Sequence, residues 1–243
     1  MKHLFNFTVQ HANVDASRHM RLCDLEHYIL EAAGMSASRF GLKTDMLVEK
    51  YNATWVLTRL TIVADYLPTY DDEIIVETWI EGNAHMFSMR NFRIYLKKGE
   101  EKFLICKCSS VWTLLNLTTR AVDTAAFHDP VWEGIIDGEK LDLPRAKRLG
   151  IIESPTSEMP HTIHYTDLDY NNHCNSIKYL QFMLNADDSL TGIYPIRLDM
   201  NYAKEVHKGD AIRVQVQEQP DALQYCILTP SGEISCTALL TKL

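Results

Sequence analysis

Residues 59–76, RLTIVADYLPTYDDEIIV, and residues 197–214, RLDMNYAKEVHKGDAIRV, lie over each other without a gap at a constant offset of 138. Arg59/Arg197, Leu60/Leu198, Asp72/Asp210, Ile74/Ile212 and Val76/Val214 are identical pairs, and Ile62 meets Met200. Self-similarity at a fixed offset bears on the whole architecture, so it precedes any single-domain assignment. Upstream, Tyr28 pairs with Tyr179 at an offset of 151, which puts 13 extra residues between helix and strand in the first copy.

The pattern around the repeat repeats too. Leu22, Leu25, Ile29, Ala32 and Ala33 recur at helical spacing and predict a helix near 22–40, with Gly41 as its stop. Four extended segments follow at 53–64, 73–81, 86–97 and 102–115, rich in β-branched and aromatic residues and separated by Pro68, Asp71–Asp72, Gly82–Asn83 and Lys98–Gly99. The second copy has a strand-like lead at 161–165 and a helix near 175–185 with Ile177, Leu180 and Leu184 on one stripe. Extended segments at 196–203, 211–217, 223–229 and 234–240 complete it. From Asp123 to Pro160 the pattern lapses and prolines and glycines accumulate, which predicts a connecting arm. The expected class is therefore α+β, with two helix-plus-antiparallel-sheet copies at 1–122 and 161–243 joined by an arm at 123–160.

Composition bounds the function. A chain of 243 residues, 46% hydrophobic and 23% charged, is long enough for two cores. Its richest apolar stretch, Thr54–Leu67, is broken by Arg59 and Asp65, so no membrane span is expected. The opening MKHLFNFTVQHANVD reaches His11 and Asp15 without a signal-type apolar run, which predicts a cytoplasmic protein. A net charge of -8 argues against nucleic acid as a partner, since phosphate binders present a clustered positive surface. Six cysteines in so long a chain predict reduced thiols rather than a disulfide scaffold.

The densest polar cluster is Thr166-Asp167-Leu168-Asp169-Tyr170-Asn171-Asn172-His173-Cys174-Asn175, between the second copy's lead strand and its helix. Such a cluster serves equally as a helix cap and turn. Alternatively, an extended lead-in would aim Asp169, Asn171 and His173 to one side, where a carboxylate, an amide and an imidazole converge on a helix N-terminus whose N–H groups suit an oxyanion. Cys174 directly follows His173 and points elsewhere, so it reads as a buried structural thiol rather than a nucleophile. His161, His164 and His173 fit no familiar zinc spacing, and neither a metal nor a cofactor is expected.

Residues 167–179, DLDYNNHCNSIKY, resemble the Asp-x-Asn-x-His signature of the fatty acyl-ACP thioesterases, a plant-type family with bacterial members. Trp55-Val56-Leu57-Thr58-Arg59, Pro68-Thr69-Tyr70, Glu77-Thr78-Trp79, Ser110-Val111-Trp112, Asn116 and Thr119-Arg120 extend the resemblance over most of the chain. It implies a tandem double hot-dog fold and hydrolysis of the thioester joining a fatty acyl chain to acyl carrier protein. It places the family's aspartate, asparagine and histidine on Asp169, Asn171 and His173, and its downstream glutamate on Glu205. Many plant members follow that glutamate with a cysteine; Val206 stands here, so a thiolate at this place is not required.

Two routes follow from that set: His173 and Glu205 activate a water, or Asp169 attacks to form a mixed anhydride. At the offset of 138 Glu205 falls opposite Leu67, and at 151 the other three fall opposite Arg18, Met20 and Leu22. The first copy is therefore expected to lack the polar set and to bind the acyl chain. Trp55, Trp79, Met86, Phe87 and Met89 serve there either as lining or as ordinary core. An acidic carrier protein requires a local basic face, for which Lys178, Lys204, Lys208 and Arg213 are candidates. An acyl-CoA thioesterase on the same fold and a non-catalytic acyl-binding module are the rival readings; a monomer or homodimer suits any of them.

Overall fold

The computed structural model describes residues 1–192 and 194–243 and falls into two compact units, one of residues 1–60 and 66–145, the other of 61–65 and 146–243. The first contains β1 (Lys2–Thr8), α1 (Leu22–Arg39), α2 (Thr44–Tyr51), most of β2 (Ala53–Ala64), β3 (Glu73–Ala84), β4 (Phe87–Lys98), β5 (Glu101–Asn116) and the short α3 (Val131–Ile135). The second contains β6 (Ser157–Thr162), α4 (Ser176–Ala186), β7 (Ile196–Tyr202), β8 (Ala211–Gln219), β9 (Ala222–Leu228) and β10 (Ile234–Lys242). Strand order is β1-β3-β4-β5-β2 in the first and β6-β8-β9-β10-β7 in the second. Numbering each unit's strands in chain order gives one topology twice, which is the tandem double hot-dog.

The two long helices, α1 and α4, exist because one stripe of each is apolar and the sheet covers it. In α1, Leu25, Ile29 and Ala32 are wholly buried and the helix packs on β3, whose Ile74, Val76 and Trp79 are also wholly buried. In α4, Tyr179, Leu180, Phe182 and Met183 are buried against β6, β8 and β9. Ile212, Val214 and Val216 of β8 alternate inward, as one buried face of a strand requires.

Residues 123–160 divide between the units instead of standing apart as an arm. Phe127, Trp132 and Ile135 join Leu47, Ala53 and Leu114 in a cluster of the first unit, with Trp55 packed against it. Further on, Ile152 packs on Cys226 and Leu228 of the second. A few large apolar residues thus outweigh the prolines and glycines around them. Trp79 is core: its Nε1 donates to the Glu139 carbonyl at 2.8 Å, and the Lys2 and Arg93 cations lie 4.9 and 4.8 Å from its ring. Met86 and Phe87 are exposed at the β3–β4 turn. All six cysteines are free and buried, and among the described residues no helix is long and apolar enough to cross a membrane.

Candidate active site

The polar cluster does not extend; it curls. His164 N–H donates to Asp167 Oδ2 at 2.9 Å, which starts a 3-10 turn over Tyr165–Asp167 and ends the lead strand at Thr162, short of the expected Tyr165. Asp169 N–H donates to the His173 carbonyl at 2.8 Å, and Asp169 Oδ1 accepts from the backbone N–H of Asn171 at 2.8 Å and of His173 at 3.1 Å. Asn172 adopts φ of 63°, a left-handed conformation that asparagine tolerates and that lets the loop close. Alternation therefore does not bring Asp169, Asn171 and His173 to one side. The Asp169 carboxylate, accepting two backbone donors, sets the shape of the loop instead.

Two further bonds dock this loop. Cys174 N–H donates to the Val206 carbonyl at 2.9 Å, and Asn175 N–H donates to the Asp167 carbonyl at 2.8 Å. The Asn175 side chain then caps α4 by accepting from Ile177 N–H at 3.2 Å. Val206 is wholly buried, and the residues either side of it, Glu205 and His207, reach His173. Glu205 Oε1 lies 3.3 Å from His173 Nδ1, with the two side chains 32% and 24% exposed, and the His207 ring stands 5.0 Å from the His173 ring, centroid to centroid. The structure thus joins His173 and Glu205 directly. Asp169 and half-buried Asn171 belong to the same loop, linked through the Asn171 backbone.

Sequence reasoning missed two residues. Buried Asp167 organises the loop through His164 N–H and receives His161 Nε2 at 3.3 Å and Lys178 Nζ at 3.9 Å. Its place three residues after His164, as an acidic turn-closer, is the signal. His207 is the second, and its signal is a further imidazole two residues beyond Glu205. The expected supply of N–H groups is reduced: at the start of α4 Ile177 N–H is taken by the Asn175 side chain, and in the loop before it those of Asn171 and His173 are taken by Asp169. Of the basic candidates, Lys178 faces Asp167, Lys204 pairs with Glu233 and Arg213 lies 3.6 Å from Glu158; Lys208 is exposed. Cys174 is 6% exposed, and burial, reinforced by the Asp167 and Asp169 carboxylates, pushes its thiol up to about 12.

The first unit contains the same loop. Asp15 Oδ1 accepts from Ser17 N–H at 2.8 Å and His19 N–H at 3.3 Å, Asp15 N–H donates to the His19 carbonyl at 2.9 Å, and Arg18 has φ of 69°. Met20 N–H donates to the Pro68 carbonyl at 2.8 Å, as Cys174 does to Val206. These bonds correspond at an offset of 154, not 151, with 138 holding after the helix. The expectation that all four polar positions are replaced is corrected: Asp15 and His19 match Asp169 and His173, Ser17 stands for Asn171, and Leu67 alone replaces an acid.

A family model described as the acyl-ACP thioesterase N-terminal domain matches residues 1–127, and one described as its C-terminal domain matches residues 153–240. A palmitoyl-acyl carrier protein thioesterase of Arabidopsis thaliana is 24% identical over 97% of this chain and 59% of its own length. A dodecanoyl-[acyl-carrier-protein] hydrolase of Umbellularia californica is 25% identical over 80% of this chain and 51% of its own. The chain thus spans between half and three fifths of these curated relatives. Among solved structures, an acyl-ACP thioesterase from Bacteroides thetaiotaomicron superposes with a TM-score of 0.87 at 26% identity, over 99% of this chain and 97% of that one. With both halves matched in order and the signature loop built as described, the chain belongs to the acyl-ACP thioesterase family.

Proposed function

We propose that this chain hydrolyses the thioester linking a fatty acyl group to acyl carrier protein, freeing the acid and ending chain growth in the cytoplasm. The observation that carries this reading is the 3.3 Å approach of His173 Nδ1 to Glu205 Oε1, inside the loop that bears the family signature. With Nδ1–H on the side of the carboxylate, Nε2 presents a lone pair that takes a proton from water. The water oxygen bonds to the thioester carbon, the carbonyl oxygen becomes an oxyanion, and collapse breaks the C–S bond. His173 then returns its proton to the departing sulfur, leaving a fatty acid and the carrier thiol.

The Asn171 side-chain amide is the donor for the oxyanion, since the neighbouring backbone N–H groups are taken. Asp169 shapes the loop and does not attack; its Oδ1 is held by two backbone donors, as Asp15 is where no acid stands at Leu67. The first unit binds the acyl chain and the second carries out the chemistry. Turnover of matched acyl-ACP and acyl-CoA by the purified chain tests the proposal. Preference for acyl-ACP supports it, preference for acyl-CoA reassigns the carrier, and binding without turnover refutes it.

A further inference from the structure

We propose that His173, Glu205 and His207 bind one divalent transition-metal ion, with Zn2+ the best match, and that the bound ion halts hydrolysis. One ring nitrogen from each histidine and one Glu205 oxygen lie within 4.8 Å of one another. Two imidazoles and a carboxylate with a fourth position open form a zinc donor set, and bonds of about 2.0–2.2 Å hold tetrahedral ligand atoms roughly 3.4 Å apart. Closing the set takes a shift on the order of 1 Å, which side-chain torsions of exposed His207 supply. The backbone need not move, because the Cys174 N–H bond to the Val206 carbonyl already fastens the histidine loop to the segment bearing the other two donors.

A second observation separates these donors from the demands of the fold. The first unit builds the corresponding loop and the corresponding Met20–Pro68 bond with Leu67 and Thr69 where Glu205 and His207 stand. Neither donor is needed to form this corner. Competition from thiols is weak, because all six cysteines are buried. Metal binding uses a His173 lone pair and draws Glu205 away from it, so the base is lost. This inhibitory consequence rests on the reading of His173 as the base, whereas the binding does not.

The test uses the full chain, stripped with a chelator, desalted and titrated calorimetrically with ZnCl2, with circular dichroism to confirm folding. One ion per chain is expected, weakened in His207→Gln and in Glu205→Gln by more than about tenfold, the least that loss of even an outer-shell partner typically brings. In the activity arm Zn2+ inhibits the wild type, chelator restores it, and His207→Gln raises the inhibitory concentration by about tenfold. No stoichiometric binding, or binding that survives His207→Gln in a folded chain, overturns the site. Binding that needs His207 but leaves hydrolysis untouched upholds the site and overturns the inhibition, and with it the role of His173 as base.

Discussion

Asp15 and Asp169 occupy corresponding positions in two loops 154 residues apart, each accepting with Oδ1 the backbone N–H groups two and four residues further along. An asparagine at 169 keeps an oxygen for both donors but cannot form an anhydride; an alanine keeps neither. Asp169→Asn should hold turnover within about tenfold of wild type, while Asp169→Ala should lose on the order of 10²-fold through misplacement of His173. Single-turnover rates for the two variants measure this, and equal collapse of both would return Asp169 to the role of nucleophile.

His173→Ala should lower turnover by about 10²–10⁴-fold, as loss of a general base does. Glu205→Gln can still accept from Nδ1 but offers no charge to the imidazolium, so its loss should be smaller. Because the two act as one unit, the double variant should cost little more than His173→Ala alone. Steady-state kinetics on chains checked by circular dichroism measure all three.

Burial raises the Cys174 thiol to about 12, so it is uncharged near neutral pH. Cys174→Ser should remain active, and iodoacetamide at about pH 9 should label this residue only after unfolding, followed by peptide mass mapping. The sign of the linkage is fixed by the raised value. Its contribution to stability is full below about pH 8.5, where the unfolded thiol is also protonated, and is lost as pH climbs toward the folded value.

Asn175→Ala removes the α4 cap and should cost about 0.5–2 kcal/mol in urea denaturation, whereas Asn175→Asp, which can still accept from Ile177 N–H, should cost less.

The strand pattern and the repeat of β2–β3 as β7–β8 were legible because alternating apolar residues survive in both copies, Ile74 and Val76 facing inward like Ile212 and Val214. The helix register was not. A shift of three residues moves a position less than one turn along a helix and leaves it on nearly the same face, so pairing Tyr28 with Tyr179 satisfied periodicity while missing the true correspondence. Only the loop bonds of Asp15 and Asp169 fix it. Asp169, Asn171, His173 and Glu205 were legible through the family signature, but the meeting of His173 with Glu205 rests on the Cys174–Val206 bond, which no local spacing encodes. His207 escaped because its partner lies 34 positions upstream.

The retention of Asp15 and His19 changes the history that the duplication implies. The turn is shared by both copies, and the two histidines differ in their neighbours: Glu205 lies beside His173, whereas His19 lies beside Ser17 and Tyr66, with Leu67 at the position that corresponds to Glu205. The two loops therefore differ at two of the four positions, Ser17 for Asn171 and Leu67 for Glu205, while the bonds that shape the turn are common to both.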